Sequence, residues 1–329
     1  MSTECQSSGS LAWRRPARLL SLDGGGIRGI ITACLLREIE ERCQQPIASL
    51  FDLIVGTSTG GILALGLVAP NERGDPRWSA DHLRNLFLKA REEFFVGLGR
   101  KFLGGVWHER YSSQVLYETL ARYGLDCRLS DAVADVLVTS YSLSDRELVL
   151  FTSMDARAHD TCDYLLRDVG RATTAAPTFF EPFLLNREGS HPKLLVDGGL
   201  SANNPAMCGV AEMLRWTGEA PGFVVSIGTG RPNRSFDGQG TEHWGLAQWA
   251  RPIVHLVQDG SGDAVHRQLS VFLSSNSYFR LQADLVSGSE HLDDTSSANL
   301  EHLIDDAERF IHQNDERIDQ LCELLVSPT

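Results

Sequence analysis

Twice within the first 70 residues, an apolar run ends in a glycine-bounded turn and passes directly into apolar residues at helical spacing. The first unit runs from residues 17–22 through Gly24, Gly25 and Gly26. It continues into residues 27–43, where Ile27, Ile30, Ile31, Cys34, Leu35 and Ile39 recur at helical intervals. The second runs from residues 50–55 through a turn at residues 56–61 into an apolar helix-like stretch, 62–68. Strand, turn and helix in succession signify a parallel sheet, because parallel neighbours need a crossover between them. The apolar runs 136–141, 148–152, 194–196 and 223–227 are expected to join that sheet. Helices are expected at 79–95, 112–123, 164–173, 205–217, 244–258 and 262–273. From Leu300 to Leu325 the apolar positions describe one long amphipathic helix with acids on its other face. No internal repeat or linker divides the chain. Residues 17–329 therefore read as one domain behind a polar, Ser-rich tail at 1–16.

Composition narrows the function classes. Hydrophobic residues at 42% and charged residues at 22% exclude a disordered or fibrous chain. A net charge of −13 argues against binding a nucleic-acid polymer, which needs clustered cations. The most apolar stretch, residues 60–69, is about half the ~20 residues that span a bilayer. The first ten residues lack the apolar core of a secretory leader. Seven scattered cysteines form no C-x-x-C pair, so reduced thiols in a cytoplasmic protein are expected, with no disulfide frame or zinc site.

Three motifs carry chemistry. Asp23-Gly24-Gly25-Gly26-Ile27-Arg28-Gly29 follows a strand and opens a helix. Its glycines let backbone N–H groups converge, and at a helix start those donors lack intrahelical partners. Such a nest suits either a phosphate or the oxyanion of acyl transfer. A dinucleotide fold would also need an acid at the carboxyl end of the next strand. The nearest candidate, Asp52, falls at the start of its strand, which counts against a nucleotide. The second motif, Gly56-Thr57-Ser58-Thr59-Gly60, lies between strand and helix as a nucleophile elbow does, with Gly56 and Gly60 keeping the turn free of clashes. The third, Asp197-Gly198-Gly199, ends a strand and delivers a carboxylate to the same sheet edge.

A serine hydroxyl needs a base. None of the ten histidines sits in a strand-end motif. A Ser58–Asp197 dyad is the simpler arrangement; a triad through His243 or His255 has no local support. Aspartate is a weak base at its ordinary pKa, so the dyad demands a desolvated site.

These motifs together resemble the patatin-like phospholipases. The similarity extends through Ala175-Ala176-Pro177-Thr178-Phe179-Phe180, Ser226-Ile227-Gly228-Thr229-Gly230 and Asn276-Ser277-Tyr278-Phe279-Arg280-Leu281, over about residues 18–315. The resemblance implies an α/β fold of three layers, α/β/α, around a mostly parallel central sheet. It implies a hydrolase that releases fatty acids from phospholipids or other acyl lipids through a Ser–Asp dyad, without metal or cofactor. On it Ser58 is the nucleophile, Asp197 the base, and Gly24, Gly25 and Gly26 the oxyanion donors. Arg28 matches the motif's arginine, which either assists the oxyanion region or anchors the loop. Some compact bacterial relatives are antiphage effectors switched on by cyclic nucleotides. This chain is similar to them in size and layout, although no local motif identifies a nucleotide pocket. Aromatic and basic residues at 94–107 fit a lid or a segment in transient contact with a membrane.

Overall fold

The computed structural model describes residues 17–94, 111–186, 191–232, 245, 249 and 252–327. The expected interfacial segment lies, apart from Phe94, outside the described residues. The sheet contains β1 (Arg18–Leu22), β2 (Leu53–Thr57), β3 (Asp135–Ser142), β4 (Glu147–Thr152), β5 (Phe183–Leu185), β6 (Lys193–Asp197), β7 (Phe223–Ile227) and β8 (Tyr278–Leu281). Strands β3, β2, β1, β7 and β8 are parallel neighbours in that order. The connecting helices are α1 (Gly29–Cys43), α2 (Thr59–Val68), α3 (Ala80–Phe94), α4 (Ser113–Arg122), α5 (Leu166–Thr173), α6 (Ala206–Thr217), α7 (Pro252–Phe272), α8 (Ser297–Gln313) and α9 (Asp315–Val326).

Alternation along the strands produces three layers. Leu20, Leu22, Ile54, Val136, Val138, Val225 and Ile227 face one side, under α1, α2, α4, α5, α8 and α9. Leu19, Leu53, Val55, Leu137 and Val224 face the other, against Ala206, Met213 and Trp216 of α6 and Leu269 of α7. Because both faces are covered, the central strands are continuous apolar runs, as the sequence suggests. Helix α2 is apolar nearly all round and almost wholly buried.

Four details depart from expectation. The second strand begins at Leu53, because Ile47–Leu50 first forms a helical turn after Pro46. Strand β8 occupies a segment to which no element is assigned from sequence. Helix α7 is continuous through Gly260 and Gly262, where two helices are expected. A glycine inside a helix costs only about 1 kcal/mol, an amount that packing readily offsets. The expected single terminal helix is two. Asn314 takes a non-helical conformation and caps α8, with its side-chain Nδ2 donating to Phe310 O at 2.8 Å. The break lets Ile318, Leu321 and Leu325 of α9 join the core against α1.

The sheet also contains a reversal. Strands β4 and β6 both run antiparallel to β3. Strand β3 overhangs β2, and β6 pairs with that overhang on the side β2 occupies, since β4 takes the other. Thr139 of β3 pairs with Thr57 at the end of β2, and the next residue, Ser140, pairs with Asp197 at the end of β6. Two strands thus approach head to head along one neighbour, and their carboxyl ends meet. Beside them Leu22, the last residue of β1, pairs with Gly56.

Candidate active site

Ser58 leaves β2 with φ 53° and ψ −123°, in the left-handed half of backbone space that non-glycine residues avoid. Such strain persists only where the surroundings enforce it. Here α2 begins at the next residue, and the Ser58 N–H donates to Thr173 Oγ1 at 2.8 Å. The turn is tight enough to require its glycines. A Cβ on Gly56 would lie 2.3 Å from Gly60 O, and one on Gly60 would lie 2.3 Å from Leu22 O.

Asp197 comes to the same point from the opposite direction. Ser58 Oγ donates to Asp197 Oδ2 at 2.6 Å, and the Gly199 N–H donates to Oδ1 at 2.7 Å. The carboxylate is 5% exposed. Burial pushes its pKa up to about 6, against the opposing pull of the Ser58 and Gly199 hydrogen bonds. The desolvation demanded of an aspartate base is present.

The glycine loop follows β1 at the same rim. Its expected trio of donors is reduced to two, because the Gly24 N–H donates to Asn203 O at 3.0 Å and is already spent. The N–H groups of Gly25 and Gly26 have no partner among the described residues, and both glycines line a cavity with Ser58 and Asp197. Gly26 has φ +56°, and a Cβ there would meet Leu292 O at 2.3 Å. Arg28 is buried but is not among the residues lining the cavity. Burial lowers its pKa, and its Nε has no partner among the described residues.

The cavity is open to solvent on one side, and its empty space, counting that open part, is about 700 Å³. Ile62, Leu116, Ala176, Phe179, Phe180 and Leu292 form an apolar wall suited to a hydrocarbon chain. Gln258 of α7 also lines the cavity. Among the described residues no histidine lines it and no group of His, Cys, Asp and Glu could hold a metal. His243 lies outside the described residues. Asp52 sits at the amino end of β2, where its side chain accepts the Arg18 N–H at 2.8 Å, remote from the glycine loop as expected. Cys162 is disulfide-bonded, which corrects the expectation of an all-thiol set; Cys34, Cys43, Cys127, Cys208 and Cys322 are free.

Sequence reasoning missed three residues that hold the site: Thr173, Asn203 and Thr229. The last donates to Gly24 O at 3.0 Å. It lies in one of the blocks that carry the family resemblance but assign no role. Arg280, in another, grips Asp23 Oδ2 at 2.5 Å and Ser226 Oγ at 2.7 Å, tying β8 and β7 to the start of the glycine loop.

Comparison with known proteins identifies the family. Residues 20–208 match the family described as "Patatin-like phospholipase". "Patatin-like protein 2" of Oryza sativa subsp. indica is 29% identical over 97% of this chain and 89% of its own length. "Patatin-03" of Solanum tuberosum is 30% identical over 89% of this chain and 83% of its own. Among solved structures, VipD from Legionella pneumophila is 11% identical, covering 94% of this chain and 72% of its own, with a TM-score of 0.38. No helix among the described residues is long and apolar enough to cross a membrane. The chain belongs to the patatin-like phospholipase family and is a lipid acyl hydrolase.

Proposed function

We propose that the chain releases fatty acids from membrane phospholipids by acyl transfer through Ser58, with Asp197 as the base. The observation that carries this reading is the 2.6 Å hydrogen bond between Ser58 Oγ and Asp197 Oδ2 at a strained turn facing an apolar cavity. Ser58 Oγ attacks the ester carbonyl carbon while Asp197 takes the hydroxyl proton. The resulting oxyanion receives the N–H groups of Gly25 and Gly26. When the intermediate collapses, the C–O bond to the glycerol oxygen breaks and Asp197 returns the proton to that oxygen. Water, giving a proton to Asp197, then attacks the acyl carbonyl carbon; as the bond to Ser58 Oγ breaks, Asp197 returns that proton to Oγ, freeing the fatty acid and Ser58. Arg28 is buried and does not line the cavity, so no step of the reaction is assigned to it.

The competing reading, a phosphate site at the glycine loop, is disfavoured by the chemistry of the cavity. The buried carboxylate of Asp197 shares that space and would repel a phosphate dianion.

Transient contact with a lipid surface is part of the same proposal. Ile253, Leu256 and Val257 of α7 are exposed at spacings that share a helical face, close along the helix to Gln258, which lines the cavity. Activation by a cyclic nucleotide rests on the family resemblance alone, and the Cys162 disulfide removes the thiol argument for cytoplasmic residence. The test is fatty-acid release from phosphatidylcholine vesicles in EDTA, with and without cyclic nucleotides. Wild type is expected to release fatty acid in chelator, and Ser58→Ala and Asp197→Asn to fall by at least about 10³-fold. Undiminished release by Ser58→Ala would overturn the assignment, and rates indifferent to nucleotides would remove the activation reading.

A further inference from the structure

We propose that Thr229 is a positioning residue for acyl transfer, holding the Gly24 carbonyl so that the N–H of Gly25 is aimed at the developing oxyanion. This rests on the reading of Ser58 as nucleophile and extends it to a residue outside the three motifs.

The argument begins with the peptide plane. In a trans peptide, the carbonyl of one residue and the N–H of the next point in opposite directions. Whatever fixes Gly24 O therefore fixes the direction of the Gly25 N–H. Gly24 O accepts from Thr229 Oγ1 at 3.0 Å and from Asn203 Nδ2 at 3.4 Å, both on the side away from the unpartnered N–H. The next peptide is held the same way, since Gly25 O accepts the Arg28 N–H at 3.1 Å, which turns the Gly26 N–H to the opposite side. The second constraint comes from the backbone itself, but the first depends on side chains.

Thr229 is well placed to impose it. It is 3% exposed and lies two residues beyond β7, whose pairing with β1 runs from Arg18 to Leu22. The sheet register thus sets its position relative to the loop. It also packs directly on the loop: a Cβ at Gly25 would lie 2.1 Å from Thr229 Oγ1. Glycine at position 25 and threonine at 229 are therefore complementary, one leaving the space that the other fills. A preorganised donor avoids the reorganisation that a mobile loop would cost during the reaction.

The test compares wild type, Thr229→Val, Thr229→Ser and Ser58→Ala on phosphatidylcholine vesicles. Active sites are titrated to completion with a fluorophosphonate, and the adduct is located by peptide mass. Expressing kcat per labelled site removes any contribution from unfolded protein. Valine keeps the shape of threonine without the hydroxyl, so kcat per site should fall about 10- to 100-fold with KM within about twofold. Serine keeps the hydroxyl and should stay within about threefold of wild type. Wild-type kcat per site in Thr229→Val would overturn the proposal, as would equal losses in Val and Ser variants. An adduct away from Ser58, or wild-type turnover by Ser58→Ala, would instead overturn the nucleophile reading and this proposal with it.

Discussion

As the proposed base, Asp197 combines two demands that pull against each other. A base must be ionised, yet burial pushes its pKa up to about 6. The rate should therefore follow the ionised fraction, with kcat/KM flat above about pH 7 and falling tenfold per unit well below about pH 6. Measuring kcat/KM from pH 4.5 to 8.5 checks this; a profile without an inflection near 6 would contradict it. The same shift has a stability cost. Because the folded pKa lies above the ordinary value of 3.8, the native state holds this proton more tightly than the unfolded chain. The associated stability is present below about pH 4 and lost as pH rises through about 6. Asp197→Asn removes the buried charge and should unfold less readily than wild type at pH 7.5, by up to ~3 kcal/mol, with the gap closing towards pH 4. Denaturant titrations at the two pH values measure it. At this scale Ser58 and Asp197 were legible because each sits in a short glycine-bounded motif. Thr173, Asn203 and Thr229 were not, because their contacts span 115, 179 and 205 positions and no local pattern marks them.

Helices and strands were legible where apolar spacing is strong, and their ends where a cap or turn is explicit. The errors have separate physical causes. In α7 two glycines look like a break, but the helix runs through them, since a helical glycine costs only about 1 kcal/mol. At Asn314 the apolar spacing hides a break, because both helices bury apolar faces in the same core. The exposed face of α7 supports a prediction of its own. Ile253 and Val257 are 49% and 53% exposed, so burying the remaining half of each in lipid contributes ~1 kcal/mol apiece. Replacing both with Ser should weaken sedimentation with phosphatidylcholine vesicles at least about tenfold. Hydrolysis of a soluble short-chain ester should stay near wild type. Unchanged sedimentation would show that the surface contact lies elsewhere.

For the whole molecule, the parallel sheet followed from strand, turn and helix in succession and its three layers from the family resemblance, and both faces of the sheet are covered. The direction of β6 did not, since an apolar run records that a strand is buried and not which way it runs. That direction brings Asp197 to Ser58: a strand meeting β2 head-on places both side chains at one point on the rim of the sheet. The central claim is that this meeting makes Ser58 reactive, and the rate of covalent labelling by a fluorophosphonate, read as adduct mass on the peptide containing Ser58, tests it directly. The account predicts rapid modification of Ser58 in wild type and labelling slowed by at least about 10²-fold in Asp197→Asn. Equal labelling rates in the two proteins, or an adduct at another residue, would contradict it.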